Sequence, residues 1–175
     1  SQDPWRVMAS GNYAYVTDPG EGFYMVDVSL PSSPSLVGTF SGNDIGDLYV
    51  SGSVVYLTSG TKLKIIDCST PASLDLVANY ELPSFAKSVF VKDKYAYVGV
   101  SRAGLLIFDI SDPSNPVQVG SVSDDSYYQD VVIEGNFAYL SGPKGFGVFD
   151  ISNPAAPFRV GGYLYVGQTR DTLQL

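Results

Sequence analysis

Three aspartates, Asp47, Asp130 and Asp171, sit at matched places in the chain, each at the start of a repeated run. Carboxylates brought together from such positions could hold a hard cation such as Ca²⁺, which takes roughly six to eight oxygens. Two of them at a set separation could instead serve as acid and base in a hydrolase or lyase. The plainer reading is that they solvate the mouth of a water-filled channel. A second group, Asp124, Asp125, Tyr127 and Tyr128, together with Phe85 in the corresponding loop of another unit, offers aromatic faces for a sugar or a protein partner. A merely exposed polar loop is the alternative there. A third set, Asp27, Asp67, Asp109 and Asp150, precedes Ser-x-Pro each time, which suits a structural role: an aspartate accepting backbone N–H groups of the turn that follows it.

What is missing narrows the chemistry further. The 175 residues contain no histidine, which removes Ser-His-Asp and Cys-His catalysis and any imidazole switch. Cys68 is the lone cysteine, so no internal disulfide or cysteine metal cluster can form; its counterparts are Val28, Ile110 and Ile151, and it reads as a small buried hydrophobe. Gly142-Pro143-Lys144-Gly145-Phe146-Gly147 is glycine-rich but lies between two strands, without the helix N-terminus that a phosphate cradle requires. A net charge of −8 and a pI near 4.2 argue against nucleic acid or an anionic membrane as partner. No apolar run approaches the ~20 residues that a spanning helix needs, so direct membrane insertion is not expected.

The elements that carry these residues repeat. Ala14-Tyr15-Val16, Val55-Tyr56-Leu57, Ala96-Tyr97-Val98 and Ala138-Tyr139-Leu140 recur at intervals of 41, 41 and 42. Downstream, Met25-Val26-Asp27, Ile65-Ile66-Asp67, Ile107-Phe108-Asp109 and Val148-Phe149-Asp150 recur at 40, 42 and 41, each followed by a proline turn. Each unit resolves into four short strands. The first ends in a tight turn where Gly11, Gly52, Asp93 and Gly135 share one position, residue types that tolerate positive φ. Sustained helical periodicity is absent. A four-stranded repeat of ~41 residues predicts an all-β propeller of antiparallel blades, since one such sheet cannot bury both faces alone. The units fall approximately at 5–45, 46–85, 86–127 and 128–168, one propeller segment across 1–175, with 169–175 opening a fifth. About four blades are therefore expected, as part of a larger or assembled propeller whose open edges would expose apolar surface.

The pattern Gly-x-Tyr-Ala-Tyr-Val followed by Gly-Leu-x-Ile-x-Asp-Ile-Ser-Asp-Pro-x-x-Pro resembles the LVIVD repeat, and residues 93 to 120 match it almost throughout. The other units depart at Phe23-Tyr24, Cys68 and Leu74. The resemblance implies a propeller of a bacterial or archaeal kind, often exported or at the cell surface, and implies no defined activity. The expected localisation is thus extracellular, periplasmic or at the cell surface. In propellers, function gathers where loops converge around the axis. Strand order puts the loops between strands two and three, and those between units, on that face. The expectation is a non-catalytic binding or scaffold module that docks a protein or glycan through its loop face or open blade edges, without an obligatory cofactor. A propeller hydrolase or lyase built on Asp47, Asp130 and Asp171, and a structural subunit of a homo-oligomer or larger assembly, are the competing readings.

Overall fold

The computed structural model describes residues 5–123 and 127–164, and among these every regular element is a β-strand. The first blade comprises β1 (Arg6–Ser10), β2 (Tyr13–Asp18), β3 (Gly22–Asp27) and β4 (Ser35–Ser41). The second comprises β5 (Ile45–Ser51), β6 (Val54–Ser59), β7 (Lys62–Asp67) and β8 (Asp75–Glu81). Then follow β9 (Ala86–Lys92), β10 (Tyr95–Val100), β11 (Gly104–Asp109) and β12 (Val117–Val122). The last blade holds β13 (Asp130–Glu134), β14 (Phe137–Gly142), β15 (Gly145–Asp150) and β16 (Phe158–Leu164). Each blade is a four-stranded antiparallel sheet with its strands side by side in chain order. The chain is therefore an all-β, propeller-type arrangement of four blades. The expected opening of a fifth unit, 169–175, lies outside the described residues.

The hairpins follow from turn chemistry. Gly11, Gly52, Asp93 and Gly135 take φ of 58°, 61°, 54° and 55°, the left-handed region in which glycine and aspartate are at home. Each opens a two-residue turn between the first two strands of its blade. A second shared feature lies between the third and fourth strands. The pairing slips at Met25/Val26, Ile65/Ile66, Ile107/Phe108 and Val148/Phe149, leaving Val37, Val77, Val119 and Val160 as the extra residues. A bulge at one place in all four blades bends and twists the outer strand in the same way each time.

The core lies between blades rather than within them. Blades one and two close on Tyr15, Phe23, Met25, Leu57 and Ile66. Blades two and three close on Tyr56, Leu63, Ile65, Val98 and Phe108. Blades three and four close on Tyr97, Leu105, Ile107, Leu140 and Phe149. Each fully buried side chain of this size contributes about 1.5–3 kcal/mol over leaving it in water. The first strands β1, β5, β9 and β13 are innermost, where adjacent blades approach. This arrangement sets what can face the axis.

Candidate functional site

Register decides which side chains meet at the axis. Arg6, Asp47, Ser88 and Asp130 are the four equivalents, each opposite a residue of the second strand: Thr17, Thr58, Gly99 and Ser141. The Arg6 Nε–H donates to Asp47 Oδ1 at 2.7 Å, and its Nη2 lies 3.5 Å from Asp130 Oδ1. The other oxygen of Asp47, Oδ2, accepts the Val89 backbone N–H at 3.0 Å. Asp47 is buried, whereas Arg6 and Asp130 are about half exposed. The hydrogen bond to Asp47 holds the Arg6 guanidinium above its ordinary pKa, against the opposing effect of burial. Thr17 and Thr58 lock the strand starts: Thr17 Oγ1 accepts the Arg6 N–H and donates to the Gly46 carbonyl, while Thr58 Oγ1 accepts the Asp47 N–H. In the third blade Gly99 replaces the threonine, and buried Ser88 Oγ has no hydrogen-bond partner among the described residues.

Asp47 and Asp130 thus share one guanidinium. Among the described residues no three acidic or sulfur side chains come together as a metal-binding group. Asp171, the third member of the expected carboxylate set, lies outside the described residues, as do Asp124 and Asp125. Arg6 is the residue that sequence reasoning passed over. Its signal is simple: it precedes Asp47 by the repeat length of 41.

Above this polar layer the inter-blade loops and the loops between second and third strands converge, as the strand order requires. They line a cavity of about 560 Å³ whose walls include Trp5, Asp44, Ile45, Gly60, Phe85, Lys87 and Gln129. A second basin of about 520 Å³ continues from Phe85 and Lys87 to Ser101, Arg102 and Tyr127. The walls are tied by backbone hydrogen bonds: Gly60 N–H to the Asp44 carbonyl, Ala86 N–H to that of Gly60, and Ser101 N–H to that of Phe85, each 2.9 Å. Asp44 and Arg102 both take positive φ, 56° and 62°, which for an arginine is uncommon and marks a constrained rim.

Three aromatic rings are left in water at this mouth: Trp5 is 71% exposed, Phe85 55% and Tyr127 40%. Cations flank two of them. Lys87 Nζ lies 5.9 Å from the centre of the Phe85 ring, and the Arg102 guanidinium 5.3 Å from that of Tyr127. Arg102 Nε–H also donates to the Tyr127 hydroxyl. Tyr128 behaves differently from its neighbour. It is buried, stacked edge-on to Phe149 at 5.9 Å, and belongs to the junction of blades three and four, so it has no face to offer a ligand. The irregular stretch that leads into β13 leaves one tyrosine in water and buries the next.

The repeated aspartates at the ends of the third strands sit away from the axis. Asp27, Asp67, Asp109 and Asp150 each accept the backbone N–H of the serine two residues on, at 2.8, 2.8, 2.9 and 2.8 Å. Hydrogen bonds from the same serines hold the carboxyls below the usual carboxylate range, the hydroxyl contributing most for Asp27, Asp109 and Asp150 and the backbone N–H for Asp67, with Asp109 at about 2. Cys68 is buried, and desolvation pushes its thiol up to about 12.

A family model described as LVIVD repeat matches four times, over residues 2–41, 42–81, 85–124 and 126–164. No curated protein matches the sequence. Among solved structures, a protein from Lactobacillus plantarum superposes with a TM-score of 0.78 at 12% identity, over 94% of this chain and 56% of its own. The computationally designed Ika8 protein gives 0.75 at 12% identity, over 92% of this chain and 49% of its own. The computationally designed Ika4 protein gives 0.70 at 11% identity, over 86% of this chain and 92% of its own. The chain spans about half the length of the first two structures, and at these identities the likeness concerns the fold.

Proposed function

The chain belongs to the LVIVD repeat family, and from that footing we propose that it is a non-catalytic binding module whose axial mouth docks a protein or glycan partner outside the cytoplasm. The observation that carries this reading is the set Trp5, Phe85 and Tyr127, three rings held in water around one mouth by a rigid frame. Leaving large aromatic faces exposed forgoes their burial, and such rings with nearby arginine recur at the centres of recognition surfaces. Lys87, Arg102, Asp44 and Gln129 supply charges and hydrogen-bonding groups around them. A location outside the cytoplasm is compatible with a single thiol that is buried away from oxidants.

Trp5 is the chain's one tryptophan, so its emission reports the mouth directly. Titration with a panel of short neutral and acidic oligosaccharides, and in parallel with surface-protein extracts, should shift or quench that emission saturably for at least one class. Phe85→Ala and Arg102→Ala should weaken the same titration. Saturable binding that leaves Trp5 emission untouched and survives both substitutions would overturn the reading.

A further inference from the structure

We infer that the two end faces of this four-blade arc dock on each other between two copies of the chain, blade four of one against blade one of the other, so that two copies close head to tail. The inference is independent of what the mouth binds.

Each internal junction joins two unlike faces. The face that a blade turns toward its successor carries a tyrosine from the second strand and a large apolar residue from the start of the third. In blade three these are Tyr97 and Leu105, 4% and 0% exposed. Their equivalents in blade four, Tyr139 and Phe146, are 40% and 37% exposed, and line an open cleft of about 260 Å³ with Val132. The opposite kind of face, small and aliphatic, is buried in blades two, three and four through residues such as Val131 and Leu140. In blade one the equivalent residues are Val7, 70% exposed, and Val16, half-buried. The arc thus ends in the two complementary halves of a junction that the chain already makes three times.

The glycines carry the same imprint. A Cβ at Gly38 would stand 2.3 Å from the Pro71 carbonyl oxygen of the next blade, and one at Gly120 would stand 1.9 Å from that of Pro154. In blades one and three the outer strand therefore takes glycine where the following blade's proline turn seats against it, while blade two carries Ala78 at the same place. Gly161 holds the corresponding place in blade four, and among the described residues nothing lies within 4 Å of a Cβ built there. The proline turn that blade one can offer to this seat is that of Pro31.

At the axis the Arg6–Asp130 ion pair crosses the gap between the ends of one chain at 3.5 Å, half exposed, while the apolar faces on either side stay in water. Two copies related by a half-turn would exchange that pair, Arg6 of each meeting Asp130 of the other. Both junctions would be identical and the ring would close. The Lactobacillus plantarum and Ika8 structures that match this arc are about twice its length, whereas Ika4 matches over 92% of its own.

Light scattering on the 175-residue chain over a range of concentrations should give a mass twice 18.7 kDa. Gly161→Val meets no obstacle in a single chain but would strike the partner's proline turn, so it should reduce the mass to that of one chain without changing the far-UV spectrum. Val7→Asp should do the same by placing a carboxylate in the junction. Trp5→Ala should leave the mass unchanged. A wild-type chain that stays at 18.7 kDa up to its solubility limit would overturn the proposal. A dimer that survives both Gly161→Val and Val7→Asp would overturn it equally.

Discussion

Arg6 and Asp47 occupy the same position in neighbouring blades, 41 residues apart, yet carry opposite charges and meet at 2.7 Å. A repeat normally places like residues at like positions. Three of the four axial positions here have diverged from one another in charge or size, and the divergence makes a network where identity would make a repulsive cluster. Arg6 draws on two blades at once, since its second nitrogen faces Asp130.

That network has a measurable cost of removal. Asp47 is buried and, among the described residues, keeps only the Val89 N–H on its carboxylate when Arg6 is truncated. Arg6→Ala should therefore lower unfolding free energy by about 1–3 kcal/mol, the scale for a hydrogen bond to a charged group with one partner left buried. Urea denaturation of Arg6→Ala, Asp47→Ala and the double variant checks it. The double variant should lose clearly less than the two singles together.

The end blade should be cheap to alter where the internal blades are costly. Tyr97 is 4% exposed within a junction, and Tyr97→Ala should cost about 3–5 kcal/mol as a large core truncation. Tyr139→Ala, at the same repeat position but 40% exposed, should cost under about 1 kcal/mol in dilute chain. Equal losses at the two positions would mean that blade four is covered in solution.

Much of this was legible in the residues. The recurrence of Tyr15, Tyr56, Tyr97 and Tyr139 at a fixed interval gave four sheets, and the shared Gly/Asp position gave the left-handed turns, because both depend on local sterics repeated in register. The serine two residues after each aspartate gave the turn bonds for the same local reason. The fate of individual loop residues was less legible. Tyr127 and Tyr128 are adjacent and alike, and the irregular stretch before β13 leaves one in water and buries the other. The pairing of Arg6 with Asp47 and Asp130 depends on how far neighbouring blades lean together at the axis, which no single unit encodes. The exposure of Tyr139 against the burial of Tyr97 depends on what packs beside a blade, not on the blade.

Acid should weaken the fold before mild alkali does. Asp27, Asp67, Asp109, Asp112 and Asp150 are all held below the usual carboxylate range by serine hydrogen bonds. A depressed folded pKa contributes stability that is complete above the unfolded value, near about 4, and is lost as pH falls through the folded values, about 2 for Asp109. Tyr15, Tyr56 and Tyr97 are raised by burial, so their opposing effect begins only above their ordinary value near about 10. With no histidine to titrate between, melting temperature should be flat from about pH 5 to 8 and fall on either side, the alkaline fall starting where the unfolded Cys68 thiol ionises. Asp109→Asn should shrink the acid limb.

Cys68 should be inert in the native chain. It is buried, with a thiol pushed up to about 12, and should react with a thiol probe only as the chain unfolds. Cys68→Val or Cys68→Ile, the residue types at the equivalent positions, should leave stability within about 1.5 kcal/mol of wild type. Fast labelling of folded protein would contradict the burial.

The central claim is that the ligand face is the axial mouth. Hydrogen exchange with and without a saturating ligand, found by the Trp5 titration, tests it most directly. Protection should concentrate at 44–46, 85–87, 101–102 and 127–129 and leave the outer strands Ser35–Ser41, Asp75–Glu81 and Val117–Val122 unchanged. Protection confined to those outer strands, with the mouth exchanging as before, would contradict it.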